Sequence, residues 1–240
     1  GSGFYNNGGG QNNTALGDGA LSSLSGYNSG YANAALGYQS LYSNTTGYSN
    51  TASGFSSLRS NTTGYSNTAL GANSLISNTT GYLNTALGLY SLRFNTTGNT
   101  NAALGSYSLY NNTTGYYNTA NGAESLNSNT TGYSNTALGY QSLYSNTTGR
   151  TNAGFGSRSL LSNTTGIRNT ASGYNAGYAI TTGSANTFLG YNAGNTGTTA
   201  TVASSTAIGY EAQVTRSSSI VLGGTGAFAV NVGIGTTSPY

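Results

Sequence analysis

The chain has 240 residues, of which 38 are glycine and only 4% are charged, and it contains no cysteine, histidine, methionine, tryptophan or lysine. Its formal charge of +3 comes from six scattered arginines set against Asp18, Glu124 and Glu211. Such a chain has no thiol or imidazole for nucleophilic or general-base work, none of the usual transition-metal ligand sets, no disulfide staple, and too few cations to neutralise a nucleic-acid backbone.

The sequence therefore reads as non-enzymatic, with no catalytic residues, no metal, no cofactor and no nucleic-acid partner. No run approaches the roughly eighteen consecutive apolar residues of a membrane span, so no membrane insertion is expected. The chain opens Gly1-Ser2-Gly3 without a charged-then-apolar leader, and is expected to be a segment of a longer or processed protein.

Residues 1–29 read as irregular N-terminal coils. Over residues 30–183 glycine then falls at 30, 47, 64, 81, 98, 115, 132, 149, 166 and 183, a period of seventeen without a slip. Asparagine keeps the same period from Asn33 to Asn186, and a second glycine does so from Gly37 to Gly190. Seventeen residues are too few for a helical hairpin, and repeated glycine with β-branched threonine disfavours helices. The expected fold is all-β: a parallel β-roll or β-solenoid of 17-residue coils.

One unit runs from Gly132 to Thr148. Asn135-Thr136-Ala137-Leu138 reads as a short strand closed by Gly139. Gln141-Ser142-Leu143-Tyr144 reads as a second, closed by the turn Ser145-Asn146-Thr147-Thr148-Gly149. Stacked coils place like residues roughly 4.8 Å apart in ladders, which explains the scarcity of charge, because a like-charged column repels itself while an asparagine column attracts.

The columns divide inside from outside. Alanine from Ala35 onward and leucine from Leu41 to Leu160 should line a thin core. The position after alanine mixes Leu70, Leu87, Leu104, Leu138, Phe155 and Leu189 with serine and asparagine, the variation expected of a face meeting a partner. These six are the candidate interface residues of a homotrimer, because one alanine and one or two leucines per coil leave little apolar surface to offset the ordering of a whole coil. Tyr31, Tyr48, Tyr65, Tyr82, Tyr116 and Tyr133 form an outer aromatic stripe, a candidate surface for stacking sugar rings, although packing between coils or chains accounts for it more simply.

Residues 184–224 keep a looser rhythm. Ser205-Thr206-Ala207-Ile208-Gly209-Tyr210-Glu211-Ala212 is followed fourteen residues on, Gly209 to Gly223, by Ser218-Ser219-Ile220-Val221-Leu222-Gly223. These motifs resemble the head repeats of trimeric autotransporter adhesins, which implies a left-handed parallel β-roll assembled as a trimer. Residues 225–240 read as a neck; within them Val232-Gly233-Ile234-Gly235-Thr236-Thr237-Ser238-Pro239 is similar to the segment preceding a C-terminal chaperone or tip domain in phage-type tail fibres and predatory-bacterium adhesive trimers. The seventeen-residue period departs from the autotransporter pattern and favours the tail-fibre branch.

Other motifs carry less. Eight Asn-Thr-Thr triplets from Asn44 to Asn163 match the N-glycosylation acceptor pattern, but asparagine and threonine also suit tight turns in a ladder. Gly233-Ile234-Gly235 lacks the third glycine and the helix of a dinucleotide site. Glu124 and Glu211 lie about five coils apart, too far for a glycosidase pair within one chain. The expected role is a structural and adhesive fibre segment, extracellular on a cell surface or virion fibre, presenting surface and glycan recognition to a target cell. The alternative is a monomeric β-solenoid that binds an ordered surface such as ice.

Overall fold

The computed structural model describes residues 12–24, 30–194 and 200–224. They form a single solenoid of about twelve coils with no helix. Thirteen three-residue strands run from β1 (Thr14–Leu16) and β2 (Ala34–Leu36) through β11 (Thr187–Leu189), β12 (Thr206–Ile208) and β13 (Ile220–Leu222), making one parallel sheet in chain order. Twelve steps of about 4.8 Å give a sheet about 58 Å long. From β2 to β11 each strand pairs with the residue seventeen further on, as in Thr68↔Thr85. The first step is 20 residues, the step from β11 to β12 is 19, and the last is 14. The proposed neck, with its Val232–Pro239 string, and most of residues 1–29 lie outside the described residues.

Each coil contributes one strand, not two. Gln141-Ser142-Leu143-Tyr144 is a turn segment, with Gln141 and Leu143 both at positive φ, 54° and 53°. Two reverse turns flank it, Ser142 N–H to the Gly139 carbonyl at 3.2 Å and Asn146 N–H to the Leu143 carbonyl at 3.1 Å. Positive φ at alternate residues curls the chain without breaking the ladder: Gln141 donates to the coil before (Ala123 carbonyl, 3.0 Å) and Leu143 to the coil after (Ser159 carbonyl, 2.9 Å). The same curl seats the leucine side chain inward, and Leu41 to Leu160 are wholly buried opposite the alanine column.

The interior is half polar. Two asparagine columns, Asn33 to Asn186 and Asn44 to Asn163, are buried beside a serine column from Ser40 to Ser159. Asn67 illustrates the first ladder: its backbone N–H and its Nδ2 both donate to Asn50 Oδ1 on the previous coil, at 3.0 and 3.1 Å, and Nδ2 also donates to the Gly81 carbonyl at 2.9 Å. In the second ladder Asn78 Nδ2 donates to Asn61 Oδ1 at 2.8 Å and to the same Gly81 carbonyl at 3.0 Å. Beyond the first rung of each ladder both amide protons of the asparagine are used, so burial costs little. Gly81 is where the ladders converge, and a Cβ there would run into Asn78 Oδ1 and the Gly98 carbonyl.

The corner that follows is drawn together on one oxygen. The Thr79 carbonyl accepts the N–H groups of Thr62, Thr63 and Gly64 at 2.9, 3.3 and 3.3 Å, and Thr62 Oγ1 at 3.0 Å. Threonine first in each Thr-Thr pair is thus explained by its hydroxyl, which ties one coil to the next. Toward the C-terminal end the core changes composition by exchange of volumes. Gly177 and Gly194 replace the leucine column while Phe188 replaces alanine, and a Cβ on either glycine would meet the Phe188 ring.

Candidate functional site

Since the interior is committed to ladders, chemistry available to a partner lies in the surface columns. The flat face of the sheet carries two of them. In each strand the middle residue points inward and its neighbours outward, so Thr68 and Leu70 flank buried Ala69. The six candidate interface residues sit in the second outward column. Leu70, Leu138, Phe155 and Leu189 are exposed, at 41, 36, 37 and 48% respectively, while Leu87 and Leu104 are half-buried. Leu36, Ile208 and Leu222 extend the same column beyond them, and Ser53, Asn121 and Ser172 interrupt it.

The tyrosine stripe forms two stacks. Tyr31, Tyr48, Tyr65 and Tyr82 stack with centroids 4.8–5.0 Å apart and planes within 6° of parallel, and Tyr116 stacks on Tyr133 at 4.8 Å. Asn99 interrupts the column between them, and Arg150 continues it beyond Tyr133, its guanidinium 5.8 Å from the ring. Tyr48 and Tyr65 have both ring faces covered by neighbouring rings, whereas Tyr31, Tyr82, Tyr116 and Tyr133, at the ends of the stacks, have one stacked neighbour each. Burial by those rings, then the charge of Tyr82 and of Tyr48, pushes the Tyr65 phenol above its ordinary 10.0. A third stack, Tyr174-Tyr191-Tyr210, lies in a different column. There Tyr210 is raised too, first by desolvation and then by Glu211 and Tyr191.

A less regular cluster escaped the sequence reading because its members belong to neighbouring columns. Arg93 lies 4.8 Å from the Tyr90 ring centre, 4.9 Å from Phe94 and 5.5 Å from Tyr110, and its Nη1 donates to the Tyr110 hydroxyl at 2.6 Å. Tyr107 packs on Tyr110 at 5.3 Å. On the coils beyond, Gln141 Nε2 donates to Glu124 Oε2 at 2.7 Å, and Arg158 Nε to Gln141 Oε1 at 3.3 Å. This Glu-Gln-Arg ladder shows how the column admits charge: opposite signs two coils apart, bridged by an amide.

The asparagines of the Asn-Thr-Thr triplets from Asn44 to Asn163 are fully buried and bonded through Nδ2, so the folded chain offers none of them to a glycosyltransferase. Among the described residues no cluster of histidine, cysteine, aspartate or glutamate could hold a metal ion, and no helix is long and apolar enough to cross a membrane. Compared with known proteins, the chain matches no family model, no curated protein and no solved structure.

Proposed function

We propose that the chain is a structural and adhesive fibre segment, working as a homotrimer outside the cell, on a cell surface or a virion fibre, that holds surface recognition at a fixed distance from its carrier. The observation that carries this reading is the mainly apolar outward column between Leu36 and Leu222, interrupted at Ser53, Asn121 and Ser172, on a parallel sheet whose strands follow chain order. Exposed apolar side chains recurring along one face are what a partner surface covers, and the same column on two further copies would match its repeat. The resemblance of residues 205–223 to trimeric adhesin heads supports the same assembly.

Adhesion is tested with fluorescently labelled protein on intact bacterial cells, before and after enzymatic stripping of surface glycans. Saturable binding that stripping reduces is expected. Equal retention of the label on stripped and unstripped cells, or none on either, would remove the glycan-directed reading.

A second reading has one specific observation in its favour. Thr46, Thr63, Thr80, Thr97, Thr114, Thr131, Thr148, Thr165 and Thr182 form an exposed column uninterrupted over nine coils, beside the first threonines whose hydroxyls are tied to the backbone. A regular hydroxyl and methyl array could bind an ordered surface such as ice as a monomer. Thermal hysteresis by the purified chain would favour it, and its absence at millimolar protein would discard it.

A further inference from the structure

We infer that the chain carries a built binding slot for a single neutral sugar ring, between Tyr110 and Tyr144 with Asn127 as its floor; this rests on the recognition role proposed above and gives it a place. Tyr110, Asn127 and Tyr144 occupy one column on three successive coils. In the Tyr31 to Tyr82 column every coil supplies a ring and the rings close on each other. Here the middle ring is missing. Its place is a cleft of about 280 Å³ lined by Tyr107, Tyr110, Asn111, Glu124, Asn127 and Tyr144.

The dimensions suit one ring. Residues two coils apart are separated by about 9.6 Å along the axis, and a ring held between two others needs two carbon contacts of about 3.5–4.0 Å each. The volume lies just below the usual range of small-molecule sites, enough for a monosaccharide and too small for a longer oligomer to be enclosed.

Polar groups stand beside the aromatic walls, as recognition of hydroxyls requires. Asn127 is held in place by its Nδ2, which donates to the Tyr107 carbonyl at 3.1 Å, and this leaves Oδ1 as an acceptor. Glu124 Oε2 is fixed by Gln141 at 2.7 Å, and Oε1 carries no protein donor among the described residues. A carboxylate oxygen accepts a hydroxyl proton more strongly than a neutral acceptor does. Three tyrosines with a glutamate could also suit a cation, but Arg93 already places its charge 5.5 Å from the Tyr110 ring and bonds its hydroxyl. That charge repels a cationic guest and leaves a neutral polyol favoured.

The test uses the full chain with methyl glycosides of glucose, galactose, mannose and N-acetylglucosamine as probes, read by saturation-transfer difference NMR. Asn127→Tyr fills the slot with the ring that the stacked column already tolerates at Tyr48 and Tyr65, so it should fold with an unchanged melting curve. Tyr144→Ala removes one wall. The expected result is transfer to at least one glycoside, abolished in Asn127→Tyr, weakened at least tenfold in Tyr144→Ala, and unchanged in Tyr65→Ala. No transfer to any probe at millimolar concentration, transfer that survives Asn127→Tyr, or preferential binding of tetramethylammonium overturns the slot. Labelling of cells separates this from the broader reading: Asn127→Tyr protein that still adheres refutes the slot and leaves adhesion standing.

Discussion

Asn84 Oδ1 accepts two hydrogen bonds from Asn101, from its backbone N–H at 3.0 Å and from its Nδ2 at 3.1 Å. The side chain on one coil thereby caps the backbone of the next, and the relationship repeats along the stack. A core of alanine and one leucine per coil would be thin by itself; the asparagine ladders supply cohesion that is directional and specific to register.

Asn101→Ala therefore removes more than one contact. It leaves the Asn118 N–H and amide without their acceptor and takes one of two donors from the Gly115 carbonyl. Orphaned buried groups cost roughly 1–3 kcal/mol each, and a loss of about 2–4 kcal/mol is expected in denaturant unfolding. Asn101→Asp should cost more, because it also buries a charge.

The coil at Gly154 offers the opposite sign. Glycine stands there where other coils have alanine, and Ser142 has turned its hydroxyl into the space, bonding the Gly154 carbonyl at 3.1 Å and Ser159 Oγ at 2.8 Å. Serines elsewhere in the column bond the glycine carbonyl three residues back, as Ser125 does to Gly122 at 2.8 Å. A Cβ on Gly154 would approach Ser142 Oγ to 2.5 Å and Ser159 Oγ to 2.8 Å; Ser142 has its usual rotamer open to it, while Ser159, already bonded to the Gly156 carbonyl at 2.9 Å, has to shift slightly. Gly154→Ala is expected to raise stability by about 1 kcal/mol, from a buried methyl and a less flexible unfolded chain, with the Ser142 hydroxyl moving to the Gly139 carbonyl in a crystal structure of the variant.

The tyrosine stack predicts alkaline sensitivity. Tyr65 holds its proton more tightly folded than unfolded, since its pKa is raised from 10.0. This contribution is fully present below pH 10.0 and is lost as pH rises through the folded value, because the unfolded chain ionises first. Denaturant unfolding in a pH series should show a shallower alkaline decline for Tyr65→Phe than for the parent chain. Parallel declines would mean that the stack does not hold the Tyr65 proton.

Much of this architecture was legible in the columns. In a stack each position keeps one environment through every coil, so the constancy of alanine at 69 and 86 marks interior and the variation at 70, 121 and 155 marks surface. The Gln141–Tyr144 segment was misread because alternating polar and apolar residues imply extended backbone, and leucine at positive φ is too rare for propensity to anticipate. Burial of the Asn44 column was hidden for a related reason: asparagine in a turn ordinarily faces water, and only closure of the coil turns it inward. The slot at Asn127 depends on side chains from three columns, which a periodic reading treats separately.

The most direct test of the fibre account is the mass of the native protein in solution, measured by sedimentation for the parent chain and for a Leu70→Asp, Leu138→Asp variant. Both substitutions fall on the outward column and leave the ladders intact, so the variant should keep its β-solenoid circular dichroism. One chain weighs 24.2 kDa, and the account predicts a species of three times that mass for the parent and a folded monomer for the variant. A parent chain that remains monomeric at micromolar concentration, or a trimer indifferent to both aspartates, would contradict it.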